Sequence, residues 1–265
     1  MRITLLIGSH PRHLFIARQV LATGLVTGVV MERREHMLPT PPEDIDDDLK
    51  DLFKRHFAER DMAERRAFGT SGDLGFESDM ITVTPETLNT PQVCEFLDAQ
   101  QADLALVYGV HKLDDATLSH IPGTAWNIHG GLSPWYRGVI TLFWPSYMLE
   151  PQATGMTVHE VTSAIDGGPI VHQVTAPLVR GDGVHDLACR AVTAIAAEIA
   201  ELVSMFEAGD IEPPKAQHTT GRIWRARDWR PEHLRPVYEF YENRIVDHYL
   251  DGRFAQWTPS LIRQF

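Results

Sequence analysis

The sequence predicts an α/β fold: an open, mostly parallel, Rossmann-like sheet with helices on both faces and a short C-terminal extension. Three observations predict it. Short strand-like runs recur along the chain, as at residues 3–7, 26–31 and 102–108. Stretches with helical spacing separate them, such as Leu14, Ala17, Val20 and Leu21. Connections between the two kinds are short. Buried parallel strands read as continuous apolar runs, and strand, helix, strand with short links is how they are joined.

The first strand ends in Gly8-Ser9-His10-Pro11, a helix follows to Leu21, and residues 26–31 form the second strand. Residues 32–78 break the rhythm. Thr40-Pro41-Pro42-Glu43 reads as a helix start, with Thr40 as cap, Pro41 in the first turn and Glu43 reaching back to the cap amide. Leu49, Phe53 and Phe57 then form one apolar stripe, and Asp51 with Arg55 and Asp61 with Arg65 sit four apart on the helix surface. The acidic run over 43–51 reads as a solvated helix start favoured by the dipole, with a cation site as the alternative. Residues 69–75 read as a Gly-rich loop. The rhythm then resumes. A strand at 80–83, a helix at 91–101 and a strand at 102–108 are followed by a short helix at 116–121 and a strand at 124–129. A helix at 140–149 and strands at 155–161 and 170–174 come next. The long helix at 184–208 carries Leu187, Ala191, Ile195, Ile199, Leu202 and Phe206 on one face and stops at Gly209. The reading is therefore a unit over 1–209, with a helical insertion at about 40–67, and an extension over 210–265 without clear period.

Bulk composition excludes several classes. With 265 residues, 43% hydrophobic and 23% charged, the chain is neither disordered nor fibrous. The 36 acidic against 24 basic residues give a formal charge of −12, which argues against nucleic acid as a partner. No apolar run approaches the roughly 18 to 20 residues that span a bilayer, and residues 2–8 are too short for a signal-peptide core. Cys94 and Cys189 lack metal or redox spacing and read as free thiols in a reducing compartment. A cytoplasmic protein without membrane or metal is the expectation.

Chemistry concentrates in residues 126–138, Trp-Asn-Ile-His-Gly-Gly-Leu-Ser-Pro-Trp-Tyr-Arg-Gly. Asn127 and His129 are two apart at a strand end, so both side chains leave one face. Ligands in open α/β sheets bind beyond such ends. An amide and an imidazole there can polarise a carbonyl, hold developing oxyanion charge and exchange a proton. A hydrogen-bonded structural His is the alternative reading. Residues 154–159 form a strand, and Ser163 to Ile170 hold Asp166-Gly167-Gly168-Pro169, which alone reads as an ordinary turn.

Together the two segments resemble the folate-dependent formyltransferases, which include glycinamide ribonucleotide, methionyl-tRNA and sugar N-formyltransferases. The shared pattern is Asn-x-His, a Pro-x-aromatic-Arg-Gly loop and a later Asp-x-Gly turn. Here these are Asn127 and His129, residues 134–138, and Asp166 with Gly168, with 37 residues from His129 to Asp166. The likeness covers about residues 100–175 well and 1–31 loosely. It implies formyl transfer from 10-formyltetrahydrofolate to an amine. Asn127 would bind the formyl oxygen, His129 would stabilise charge and shuttle protons, and Asp166 would orient His129. It places the folate between Val110, His111, Lys112 and Leu113 on one side and Ile165 with Asp166 on the other. His111 and Lys112 read equally as exposed loop residues.

The same resemblance puts the acceptor near Ser9, His10 and Arg12, where a Gly-Ser turn opening a helix offers amides to a phosphate. A plain turn with Ser9 as cap is the alternative. Gly131 and Arg137 join the expected substrate contacts, with Arg137 otherwise tying its loop to a carboxylate. The 56 residues after Gly209 fall short of the tRNA-binding barrel of methionyl-tRNA enzymes, and the chain leaves no room for the regulatory domain of the related hydrolases. The insertion and the tail from Gly221 look more like enzymes found beside surface-polysaccharide (lipopolysaccharide, O-antigen) genes. The expected acceptor is a nucleotide-linked amino sugar. Glycinamide ribonucleotide, aminoacyl-tRNA, folate hydrolysis and a silent folate-binding module are the alternatives. Trp224, Trp229, Tyr238 and Tyr241 read as packing, a stacking surface for substrate, or the contact of a homodimer.

Overall fold

A computed structural model of the chain, which describes every residue except 36, 71, 77, 78, 122, 219 and 220, is organised by one seven-stranded sheet. Its strands are β1 (Ile3–Gly8), β2 (Val26–Glu32), β3 (Asp79–Val83), β4 (Leu104–Tyr108), β5 (Ala125–His129), β7 (Gly155–Glu160) and β8 (Ile170–Thr175), while β6 (Tyr136–Gly138) lies outside it. They run in the order β3-β2-β1-β4-β5-β7-β8, the first five parallel, β7 antiparallel to β5 and β8 antiparallel to β7. Strand order reverses between β1 and β4, so the loops after these strands diverge and open a crevice at their carboxyl ends.

The helices are α1 (Pro11–Leu21), α2 (Asp47–Phe68), α3 (Pro91–Gln100), the single turns α4 (Asp115–Leu118) and α5 (Trp144–Tyr147), α6 (Val184–Ala208) and α7 (Ile245–Leu250). Strand alternation sorts them into layers. Leu5, Leu106, Trp126 and Ile128 pack with Leu14 and Val20 of α1 and with Leu187, Ile195 and Ile199 of α6. Leu6, Ala105 and Val107 point the other way, against Val93 and Leu97 of α3. Trp126 and Ile128 therefore anchor β5 in the α1–α6 layer and turn Asn127 and His129 to its other side. The long helix keeps its expected bounds and ends on Gly209 at φ 77°, a left-handed cap that glycine adopts without strain. Among the described residues no helix is long and apolar enough to cross a membrane.

Local signals fail in four places. α2 begins at Asp47, not at Pro41, because Pro42 disfavours helical backbone at the residue before it. Asp46 is the cap and accepts from the Leu49 amide at 2.7 Å, with Asp47 and Asp48 at the positive end of the helix dipole. Arg55 bonds Glu59 at 2.7 Å rather than Asp51, which takes Lys54, whereas Asp61 and Arg65 pair as their spacing predicts. The helix expected over 140–149 shrinks to α5: Ile140 sits at φ 59°, outside helical space, and the helix starts where Pro145 in its first turn needs no amide partner. The helix expected over 116–121 is likewise one turn, capped by Asp114 on the Thr117 amide at 2.8 Å. The Gly-rich loop at 69–75 includes Ser71, which lies outside the described residues.

The extension folds back over the rest. Lys215 pairs with Ile170 at the edge of β8, and β9 (Arg222–Trp224) pairs in parallel with β6. Trp224 stacks on Trp144 at 4.2 Å between ring centroids. Leu234, Val237, Tyr238 and Ile245 bury against Leu49, Leu52 and Phe53 of α2. Gln264 bonds the Val171 carbonyl at 2.9 Å. The aromatic tail is thus mostly internal packing.

Candidate active site

β5 delivers Asn127 and His129 to the crevice. The loop after it doubles back, so that His129 Nε2 donates to the Tyr136 carbonyl at 2.8 Å. This fold-back requires glycine at 131: a Cβ there would stand 2.4 Å from the Tyr136 carbonyl and 2.5 Å from His129 Nε2. Thr157 of β7 pins the loop, accepting from the Ser133 amide at 3.0 Å and donating to the Gly131 carbonyl at 2.8 Å. Gln173 of β8 adds a bond to the Ser133 carbonyl at 2.6 Å. Gly131→Ala is expected to push His129 off Tyr136, lowering turnover and costing about 1–3 kcal/mol of stability by overpacking. Thermal melts followed by circular dichroism check it.

Asp166 arrives from the turn between β7 and β8 with φ 44°, an uncommon conformation that Asp tolerates. The Gly138 amide donates to its Oδ2 at 2.8 Å, and Gln217 Nε2 holds the carbonyls of Asp166 and Gly168, each at 2.8 Å. Gly168 is needed there because a Cβ would fall 1.9 Å from the Glu160 carbonyl. The carboxylate then faces three side chains. His129 Nδ1 is 3.4 Å from Oδ2, His159 Nε2 is 3.5 Å from Oδ1, and Asn127 Nδ2 is 3.4 Å from Oδ1. His159 stands directly opposite Asn127 across the β5–β7 ladder, 3.1 Å from Asn127 Nδ2, and its Nδ1 donates to the Glu160 carbonyl.

The electrostatics separate the roles. Burial lowers the His129 pKa below its ordinary value against the opposing pull of Asp166 and the Tyr136 carbonyl, so the resting ring is neutral at pH 7. With Nε2–H committed to Tyr136, Nδ1 carries the lone pair. A proton taken up there would meet the carboxylate. Burial pushes the Asp166 carboxyl up, but His129, His159 and the Gly138 amide outweigh it and hold it at about 2. Asp166 is therefore an anion across the neutral range.

These groups open onto a cavity of about 510 Å³ between the sheet, α2 and the first turns of α6. The structure brings Asn127, His129, Asp166, Arg12 and Val110 together on its wall. Others serve the scaffold. Ser9 Oγ accepts from the Arg34 amide at 2.8 Å and caps nothing, since His10 is the cap residue of α1. His10 Nε2 bonds the Glu35 carbonyl at 2.9 Å. Arg12 pairs with Glu64 of α2 at 2.7 Å. Gly131 is buried behind His129, and Arg137 lies against the Gly167 turn. On the other loop, the fully buried Glu32 accepts from the His111 amide at 2.7 Å and from its ring at 2.5 Å. Lys112 is exposed, with its carbonyl accepting from Asn89, and Leu113 is buried. Ile165 is 48% exposed beside Asp166.

Sequence reasoning missed His159 and Gln217, whose places depend on non-local pairing. It also missed His56, Arg60 and Glu64, which line the cavity from α2. Their spacing of four continues the face started by Leu49, Phe53 and Phe57, and that was the available signal.

Residues 50–201 match the family described as formyl transferase. Solved structures share the fold. A phosphoribosylglycinamide formyltransferase from Anaplasma phagocytophilum superposes with a TM-score of 0.57 at 19% identity, covering 80% of this chain and 89% of its own. A sugar N-formyltransferase from a Shewanella species reaches 0.56 at 15% identity over 86% and 78%. A formyltransferase from Anoxybacillus kamchatkensis, solved with UDP-4,6-dideoxy-4-formamido-L-AltNAc and tetrahydrofolate, reaches 0.52 at 15% identity over 92% and 96%.

Proposed function

The chain belongs to the formyl transferase family, and on that premise we propose that it moves a formyl group from 10-formyltetrahydrofolate to a primary amine, the amino group of a nucleotide-linked sugar. The observation that carries the reading is the convergence of Asn127, neutral His129 and anionic Asp166 on one cavity wall. The folate supplies the formyl carbon that the amine attacks. Asn127 Nδ2 donates to the formyl oxygen as negative charge develops there, since its 3.4 Å contact to Asp166 is long enough to be given up. His129 Nδ1 takes the proton that the amine must lose, Asp166 stabilises the resulting imidazolium, and the same proton goes to the folate nitrogen as its bond to the formyl carbon breaks and tetrahydrofolate leaves. Both N–H groups of that imidazolium then face acceptors already in place.

Apolar side chains support the folate side: Val110, Val139 and Ile140 line the cavity, the last two 43% and 41% exposed, and Ile165 beside Asp166 is 48% exposed. Glu32 fixes the 110–113 loop through His111. Residues 1–209 form the catalytic unit in this reading, and 210–265 brace α2 and the Asp166 turn. The Shewanella and Anoxybacillus neighbours support a sugar acceptor, and the Anaplasma neighbour keeps glycinamide ribonucleotide as the second reading.

The test incubates the protein with 10-formyltetrahydrofolate and a panel of 3-amino and 4-amino nucleotide sugars plus glycinamide ribonucleotide, following tetrahydrofolate release. Release is expected only with an amine present and fastest with one sugar. Equal release without amine would make the protein a hydrolase, and no release with any acceptor would make it a silent binding module.

A further inference from the structure

The cavity extends away from Asp166 to a wall that none of the motif residues touches. α2 presents His56, Arg60 and Glu64 at successive fourth positions, hence on one face, and α6 adds His185 from its first turn. Glu64 is engaged by Arg12. Arg60 is not engaged: among the described residues no carboxylate lies within ion-pair distance, and its guanidinium overlies the Phe57 ring at 4.7 Å. It is half-buried, and burial with the neighbouring Arg12 lowers its pKa from the ordinary value against the opposing pull of Glu64 and Asp61.

A hydrogen-bonded chain stands beside it. His56 Nδ1 meets the Tyr238 hydroxyl at 3.0 Å, and that hydroxyl meets His185 Nε2 at 3.1 Å. One hydroxyl hydrogen serves both contacts, so Tyr238 donates to one ring and accepts from the other. Burial pushes both rings down, His56 to about 2 and His185 to about 3, and keeps them neutral. His56 Nε2 has no hydrogen-bond partner among the described residues and belongs to a ring that lines the cavity. His185 donates its other ring hydrogen to the His56 carbonyl, so Tyr238 donates to His185 Nε2 and accepts from His56 Nδ1, which leaves Nε2 of the neutral His56 ring as an acceptor.

Three arginines, Arg12, Arg34 and Arg60, line the cavity, and two are already paired, Arg12 with Glu64 and Arg34 with the buried Glu32 at 3.0 Å, which leaves Arg60 for a ligand. The N-terminal end of the 25-residue α6 faces the same space and adds positive potential. The turn after β1, where the sequence suggests phosphate binding, has meanwhile spent Ser9 on Arg34 and Arg12 on Glu64.

We propose that Arg60, beside His56, forms a phosphate subsite of the acceptor pocket, so that the amine acceptor is anchored by a phosphate on α2 rather than at the β1–α1 turn. Only the placing of the amine at Asn127, His129 and Asp166 rests on the formyl-transfer reading. A guanidinium offers paired donors to phosphate oxygens.

Binding of pyrophosphate, UDP and glucosamine 1-phosphate to the folate-free full chain, measured by calorimetry, tests this without turnover. Arg60→Gln should weaken pyrophosphate binding about tenfold or more, and Arg60→Lys should weaken it less. Arg65→Gln, on the outer face of the same helix, should bind as the unaltered protein does. Because Arg60 has no ion pair, Arg60→Gln should shift the melting temperature by only about 2 °C. UDP binding tighter than glucosamine 1-phosphate assigns the phosphate to a nucleotide, and the reverse order to a sugar phosphate. Pyrophosphate affinity unchanged in Arg60→Gln, or no binding to the unaltered protein at millimolar concentration, overturns the subsite. Formyl transfer failing while pyrophosphate binding depends on Arg60 would sink only the proposed activity.

Discussion

Replacing His129 by Asn is expected to lower kcat by about 10²–10⁴-fold while leaving tetrahydrofolate affinity nearly unchanged. Asparagine has an amide that can still donate to the Tyr136 carbonyl, so the loop that now rests on His129 Nε2 keeps a polar partner. What disappears is the Nδ1 lone pair facing Asp166, the only part of the residue asked to change protonation state. Single-turnover kinetics beside equilibrium folate titration separate the two effects. A kcat within about threefold of the unaltered enzyme would remove His129 from the mechanism.

Asp166→Asn should be nearly as severe, at about 10²–10³-fold in kcat, and should leave a signature in pH. The Asp166 anion raises the His129 pKa, so its loss lowers that value further and moves the acid limb of the rate profile to lower pH. Stability follows the opposite group. The folded Asp166 pKa of about 2 lies below the ordinary 3.8, so its ionised form contributes stability above pH 4 that is lost as pH falls through about 2. That part amounts to about 2 kcal/mol and should be missing from the acid unfolding curve of Asp166→Asn. An unmoved acid limb would show that Asp166 does not act through His129.

The parts of this architecture written in local spacing were legible in the sequence. Continuous apolar runs marked the buried parallel strands, and the apolar face from Leu187 to Phe206 with Gly209 beyond it fixed α6 to the residue. Asn127 and His129 could be placed on one face because alternation along a strand is a local rule. Where two local signals competed, the tertiary context decided. The sequence offered Thr40 as the cap, but Pro42 disfavours helical backbone before it and the structure uses Asp46. Ile140 to Leu149 carried helical spacing, yet left-handed backbone at Ile140 shortened the helix to one turn.

Contacts across the sheet were invisible for a different reason. Nothing near His159 announces that the β5–β7 register sets it opposite Asn127. Nor could residues 9–12 show that Arg34 and Glu64 would occupy Ser9 and Arg12. The His56, Arg60 and Glu64 series lay in plain view at helical spacing. Its meaning depended on α2 closing over the cavity, which follows from the burial of Leu49, Leu52 and Phe53 against the C-terminal residues.

The most direct measurement follows the formyl carbon itself. The protein is given 10-formyltetrahydrofolate labelled in that carbon, with and without the amino-sugar acceptor that gives fastest release, and the label is traced. Formyl transfer predicts that the label enters the amine as a formamide, only when acceptor is present, and that His129→Asn and Asp166→Asn abolish this incorporation together. Label accumulating as free formate at the same rate without an acceptor would contradict it.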